Sequence, residues 1–324
     1  GSLQRIVTKP VVFVFVLVRI LKETPSDVLL HLAALRGDDI NLRRVLESGK
    51  VHVDCKDEDG TTPLILSAAG GHIHCVVELL EQGADPNSRR ATGTTPLFFA
   101  AQGGYLDVVK TLIKAGANVD TPSVDGGTPL FVAAQGGHVK LVKELIDSGA
   151  NVNATMKDRA TPVFISAQNG HRTVLSVLLT ASADSDTKRI DGATPLWIAA
   201  QMGHDYACKL LLQHGANVDA VRCDGATPLF KAAHKGYAAV VTELLKFRPN
   251  LGLLPNGETA LHAAAMFGHL TIVKQLIGAG SDILQKNNEG LTALQVAREQ
   301  KYNTICDYLQ ERLRILVARN AAIS

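Results

Sequence analysis

Thr-Pro followed by Leu or Val recurs along this chain at a fixed interval, and no other feature restricts its fold so tightly. The threonines are Thr62, Thr95, Thr128, Thr161, Thr194 and Thr227, each 33 residues after the last. Thr259 follows after 32 and Thr292 after 33, both with Ala in place of Pro. Upstream, Leu32-Ala33-Ala34-Leu35-Arg36-Gly37 matches the Ala-Ala-x-x-Gly part of the unit and adds a degenerate first copy, giving about nine units. A period of this length marks an array in which each unit buries its apolar face against its neighbours. The 324 residues, enough for about two ordinary domains, therefore read as one array over 23–311. An apolar segment, 1–22, precedes it, and a helix end and tail, 312–324, follow.

One unit explains its own shape. In the stretch from Asp125 to His138, Asp125-Gly126 is turn chemistry, tolerant of left-handed backbone. Thr128 is placed to cap a helix, and Pro129 takes the first helical position, where a missing N–H costs nothing. Leu130, Ala133, Ala134 and Gly137 fall on one face, small enough for close helix approach, and Gly137 ends the helix. A second helix, Val139 to Asp147, carries Val142, Leu145 and Ile146 on its apolar side and stops at Ser148-Gly149. The expected fold is all-α: a solenoid of about nine helix-turn-helix units joined by β-hairpin loops.

This unit resembles the ankyrin repeat, whose pattern runs D-G-x-T-P-L-H-x-A-A-x-x-G-H-x-x-V-V-x-x-L-L-x-x-G-A-D-V-N, and the match extends over roughly residues 24–311. The resemblance implies partner binding along the inner helical face and hairpin tips. It also implies hydroxylation of hairpin asparagines, for which Asn87 and Asn153 stand at the matching position. Departures mark irregular places. Val28 stands where the first capping Thr belongs, and Gly49 to Asp54 carries one residue more than the equivalent turn. Arg159 replaces the hairpin glycine of the fifth repeat. Phe247 to Leu254 has lost the Gly-Ala-Asn pattern and one residue, which predicts a distorted hairpin. Tyr302 to Arg319 reads as a longer, polar-faced capping helix.

Several chemistries find no support. With 33 basic and 31 acidic side chains, the net charge of +2 gives no basic footprint for nucleic acid. The five cysteines, Cys55, Cys75, Cys208, Cys223 and Cys306, include no C-x-x-C, so neither a disulfide framework nor a zinc site is indicated. A reducing, cytoplasmic setting follows, with the nucleus also open. His72, His138, His171, His204 and His269 share one Gly-His slot and read as residues that hold a turn. Asp57-Glu58-Asp59-Gly60 lacks the acidic residue that completes a calcium loop. Gly103-Gly104 and Gly136-Gly137 end helices, where a phosphate loop places its glycines before one. No enzyme, cofactor, metal or small-molecule substrate is expected. Val11 to Val18 is too short to span a bilayer. It reads as a capping half-repeat or as an extended, ligand-like segment, with a membrane-touching patch the least favoured.

What remains is a pattern of preferences within the unit. Three residues after the capping threonine come Phe98, Phe131, Phe164, Trp197 and Phe230, then His262. Seven residues after it come Gln102, Gln135, Gln168 and Gln201, then His234. A spacing of four places the two on one side of a helix, and the helical wheel turns the glutamines to solvent. Stacked helices lie about 8–10 Å apart, so four glutamines span about 30 Å. An extended peptide, advancing about 3.3 Å per residue, meets one at every third residue. Glutamine both donates and accepts, so it suits a peptide backbone of any sequence. The aromatics serve either as anchors for a partner or as packing between repeats. Met202, Met266 and Phe267 extend an apolar surface, and Lys235 and Arg222 offer charge to an acidic partner residue. The expected function is a non-catalytic scaffold or adaptor binding a protein or extended peptide along the inner-helix groove. The alternative is a regulatory or substrate-receptor domain of a larger assembly, such as a ubiquitin ligase or channel-associated complex.

Overall fold

The computed structural model describes residues 24–321, so the apolar run Val11 to Val18 lies outside the described residues. Among them are eighteen α-helices, two for each repeat. They fall into two compact units. The first comprises the described residues up to Gly136 with Lys143–Ala150; the second comprises Gly137–Val142 and the residues from Asn151 onward.

In the first unit the inner helices α1 (Pro25–Arg36), α3 (Pro63–Gly70), α5 (Pro96–Gly103) and α7 (Pro129–Gly136) pack in sequence. The outer helices α2 (Asp39–Glu47), α4 (Ile73–Glu81) and α6 (Leu106–Lys114) pack behind them, and α8 (Val139–Asp147) has residues in both units. The second unit stacks α9 (Pro162–Gln168), α11 (Pro195–Met202), α13 (Pro228–Lys235), α15 (Ala260–Met266) and α17 (Ala293–Glu299). Its outer row is α10 (Arg172–Thr180), α12 (Asp205–Gln213), α14 (Ala238–Leu245), α16 (Leu270–Gly278) and α18 (Asn303–Ala321).

Each inner helix begins as the spacing predicts. Thr62 Oγ1 accepts from the Ile65 N–H at 3.3 Å, and Thr194 Oγ1 from the Trp197 N–H at 3.2 Å. One orphan donor of the first turn is thereby satisfied, and proline follows at the first helical position. At the other end Gly71 turns left-handed, with φ 71°, and a Cβ there would meet the Tyr105 ring at 2.6 Å. Glycine is required by the turn and again by the ring of the next repeat.

Packing follows from the same periodicity. Ala34, Ala68, Ala101 and Ala134 in the first unit, and Ala167, Ala200, Ala233 and Ala265 in the second, are wholly buried where inner helices approach. Leucine behind them supplies the burial energy, with Leu64, Leu97 and Leu196 fully enclosed. Each such side chain contributes about 1.5–3 kcal/mol.

Two polar devices tie repeat to repeat. His72 Nε2 donates to Leu35 O at 3.0 Å, His204 Nε2 to Gln168 O at 3.1 Å, and His269 Nε2 to His234 O at 3.2 Å. Those Gly-His residues thus fasten the end of the preceding inner helix. In the hairpins, an Asn or Asp oxygen accepts the N–H found 31 residues on. Asn87 Oδ1 takes Asn118 N–H at 2.8 Å, Asn153 Oδ1 takes Asp184 N–H at 2.8 Å, and Asp219 Oδ1 takes Asn250 N–H at 2.9 Å.

Three expectations are corrected, and one, the second, is made finer. First, Val28 is no substitute cap, because α1 starts a turn earlier. Thr24 caps it, accepting from Asp27 N–H while the Asp27 carboxylate accepts from Thr24 N–H, and Pro25 follows. Second, the hairpin loops are closed by turns, such as Arg222 N–H to Ala226 O (3.1 Å) and Gly225 N–H to Arg222 O (2.9 Å). Among the described residues the only isolated antiparallel bridge is Lys286–Thr292, so the loops are hairpins in path more than in strand pairing. Third, the irregular seventh hairpin keeps its closure. Leu254 N–H bonds Glu258 O at 2.9 Å, and Arg248 adopts the left-handed conformation of the missing glycine at φ 52°. Arg159 (φ 68°) and Ser182 (φ 62°) do likewise elsewhere in the second unit. Fourth, α18 is not polar-faced throughout, since Ile315, Leu316 and Val317 are exposed.

Candidate protein-interaction face

The position three residues after each capping threonine points inward. Phe98, Phe131, Phe164 and Trp197 are 9%, 6%, 1% and 2% exposed, and Phe230 is half-buried. Polar residues at the same position show what it does. His262 Nε2 donates to Leu291 O at 3.0 Å and Trp197 Nε1 to Ala226 O at 3.0 Å; His31, at the matching place in the repeat three residues after Val28, donates from Nε2 to Thr61 O at 3.1 Å. Each acceptor immediately precedes the next capping threonine. Phenylalanine here exchanges that hydrogen bond for apolar burial. Of the two roles open to the rings, the first four take packing, because an enclosed ring has little area left for a partner. Phe230 keeps part of its surface.

Positions seven and eight point outward. Gln102 and Gln135 of the first unit are exposed, while Gln168 and Gln201 of the second are half-buried. In the second unit the adjacent position carries Met202 (43% exposed), Lys235 (exposed) and Phe267 (42% exposed), with Met266 half-buried. His234 sits between two rings, its centroid 6.4 Å from Phe230 and 4.2 Å from Phe267. Its Nδ1 is enclosed and has no hydrogen-bond partner. Desolvation, then Lys231, Lys235 and His269, lower its pKa and favour the neutral imidazole.

Arg222 is not an isolated charge awaiting a partner. Its Nη2 lies 3.2 Å from Asp191 Oδ2 and its Nη1 3.4 Å from Asp224 Oδ2, with the guanidinium 4.7 Å above the Trp197 ring. Lys231 Nζ is 5.5 Å from the same ring and 3.8 Å from Asp224. Arg189 continues the chain, 3.5 Å from Asp191, 3.7 Å from Asp158 and 5.2 Å above Phe164. Cations thus lie over the buried aromatics and link one hairpin to the next. The signal for this was Arg-x-Asp at 189–191 and again at 222–224, one period apart.

The first unit has the same hairpin link, Arg90 Nη2 lying 3.4 Å from Asp59 Oδ2 and its guanidinium 5.9 Å from the Phe99 ring, and adds a buried acid. Glu78, buried on α4, is held by Arg43 of α2 at 2.6 Å. Hydrogen bonds from Arg43 and then Gln82 keep its carboxyl below the ordinary glutamate value. Burial pushes the Cys75 thiol up to about 11, and Cys208 is likewise raised by burial. Among the described residues no three His, Cys, Asp or Glu side chains are grouped to hold a metal. No described helix is long and apolar enough to cross a membrane.

A sequence model of the family described as ankyrin repeats, in sets of three copies, matches residues 30–123, 119–189, 181–252 and 238–318. The chain belongs to the ankyrin repeat family. Over 69 residues, 21% of this chain, it is 51% identical to ankyrin repeat domain-containing protein 29 of Homo sapiens and 48% identical to that of Danio rerio, spanning 23% of each. Over 60 residues, 18% of the chain, it is 42% identical to the E3 ubiquitin-protein ligase KEG of Arabidopsis thaliana, of which this is 4%. The aligned part spans about a quarter of the first two relatives. Ankyrin repeats generally mediate protein–protein interaction and are typically non-catalytic modules.

Proposed function

We propose that this ankyrin-repeat chain is a non-catalytic scaffold or adaptor holding a partner protein or extended peptide along its inner-helix faces. The supporting observation is the exposed or half-exposed placement of positions seven and eight on a scaffold whose alanines, leucines and most third-position rings are buried. Gln102, Gln135, Gln168 and Gln201 act as general backbone partners, and Met202, His234, Lys235 and the open edge of Phe230 give local selectivity. Phe98, Phe131, Phe164 and Trp197 contribute by fixing the helices that carry these groups. Exchanging Gln135, Gln168 and Gln201 for alanine weakens partner capture from cell extract while leaving the melting transition nearly unchanged. Unaltered capture would refute the role of this face.

The likeness to a ubiquitin ligase supports a second reading, a regulatory or substrate-receptor domain within a larger assembly. Size-exclusion chromatography of the protein from its native cell separates the two, since a receptor domain elutes with its assembly. Asn87 and Asn153 are exposed at the hairpins, which suits hydroxylation; mass spectrometry of native protein tests it. The five cysteines are all free thiols, in keeping with a cytoplasmic or nuclear setting that microscopy of the tagged protein checks.

A further inference from the structure

The interaction reading above leaves the partner without a chemistry, and the second unit supplies one. Helices α11, α13 and α15 pack in sequence. At position eight they carry Met202, Lys235 and Phe267 in one register, two exposed apolar side chains with a cation between them. None of the three helices contains a carboxylate. Of the acids on neighbouring elements, Asp224 of the hairpin holds Arg222 and Lys231, Glu243 of α14 holds Lys246 at 2.6 Å, and Asp205 opens the outer helix α12 beyond Met202. On α17, Glu299 stands beside Arg298. The row is therefore apolar, cationic, apolar, with no acid within it to satisfy the cation.

Its spacing selects a conformation. Neighbouring inner helices lie about 8–10 Å apart. A polyproline II segment has three residues per turn and rises about 3.1 Å per residue, so every third side chain returns to one face after about 9 Å. We propose that Met202, Lys235 and Phe267 dock a polyproline II segment of a partner protein in which an acidic residue has an apolar residue three positions before it and another three after. The carboxylate pairs with Lys235, and the apolar side chains cover Met202 and Phe267. Half-buried Phe230 and the tilted His234–Phe267 ring pair lie beside them.

This assignment rests on the inner face being an interaction surface, and the test separates the two. Fluorescent peptides carrying Leu-x-x-Glu-x-x-Leu, with Pro and Ala at x, are titrated with the full chain and followed by anisotropy. The expected result is saturable binding that falls about fivefold when the peptide Glu becomes Gln, the worth of one exposed ion pair, and weakens further with salt. Lys235→Glu lowers binding similarly and regains it with a peptide carrying Lys at the centre. Met202→Ser and Phe267→Ser each weaken binding of both peptides. Because all three side chains are exposed, unchanged melting curves verify that the variants fold. Equal binding of the Glu and Gln peptides, or indifference to Lys235→Glu, overturns the acidic segment while the interaction reading stands. No binding at about 1 mM peptide also overturns it, and the glutamine exchange then decides the broader reading alone.

Discussion

The first and second units are built from one pattern and expose different chemistry. Both cap inner helices with threonine, close-pack them through alanine and fasten hairpins 31 residues apart. Yet at positions seven and eight the first unit shows Gln102-Gly103 and Gln135-Gly136, while the second shows Gln201-Met202, His234-Lys235 and Met266-Phe267. Both link hairpins through arginine, Arg90 to Asp59 in the first and Arg222 to Asp191 in the second, but the ring beneath differs: half-buried Phe99 in the first, buried Phe164 and Trp197 in the second. The buried Glu78, paired with Arg43 between outer helices, belongs to the first. The difference teaches that scaffold and surface are separable: positions seven and eight change chemistry between the units while the buried alanines between inner helices recur in both.

The comparison can be broken first at Trp197. Trp197→Ala should cost about 3–5 kcal/mol in chemical denaturation, because it empties a buried site and removes the bond to Ala226 O. A loss below about 1 kcal/mol would mean that the ring is not structural. Acid should act next, on the first unit. The folded Glu78 value lies below the ordinary 4.5, so its stabilisation is fully present above that value and is lost as pH falls through the folded one. The melting temperature of the native chain should therefore drop more steeply from pH 6 to pH 3 than that of Glu78→Gln; parallel curves would remove the ion pair from the account. In the second unit, Arg159→Gly should stabilise by up to about 1 kcal/mol, relieving a side chain from left-handed backbone. Least affected should be Gln102→Ala and Gln135→Ala, within about 0.5 kcal/mol of native stability, which thermal melting reads directly.

Most of the architecture was legible because it is written many times. A threonine, a proline and a glycine at a 33-residue period define helix starts and stops by local chemistry alone, and the structure follows them closely. The failures lie where the period weakens. Thr24 was missed as the first cap because it stands one turn before the place counted from the repeat, and only the capping box with Asp27 identifies it. The seventh hairpin was expected to distort, yet Arg248 accepts the left-handed turn and the lost residue is absorbed between Gly252 and Leu254. At the candidate face, the helical wheel turns all four glutamines to solvent, where Gln102 and Gln135 are exposed and Gln168 and Gln201 half-buried, and it does not say how deeply each ring sinks. That depth depends on the next hairpin, which contributes the backbone carbonyls that Trp197 and His262 reach. Arg222 was misread for the same reason, since its partner Asp191 lies in the preceding hairpin.

The hairpin bonds have a further consequence for how the chain can change length. Asn153 receives the N–H of Asp184, and Asp186 receives that of Asn217. Removing residues 184–216, one full period, would bring Asn217 to the place of Asp184, 31 positions after Asn153, with donor and acceptor still matched. Length is thus quantised. A gene encoding such a chain can lose a whole unit at these junctions by recombination and find donor and acceptor already matched, whereas the one-residue deletion of the seventh repeat leaves Gly252, with no side-chain acceptor, where Asp219 stands one repeat earlier.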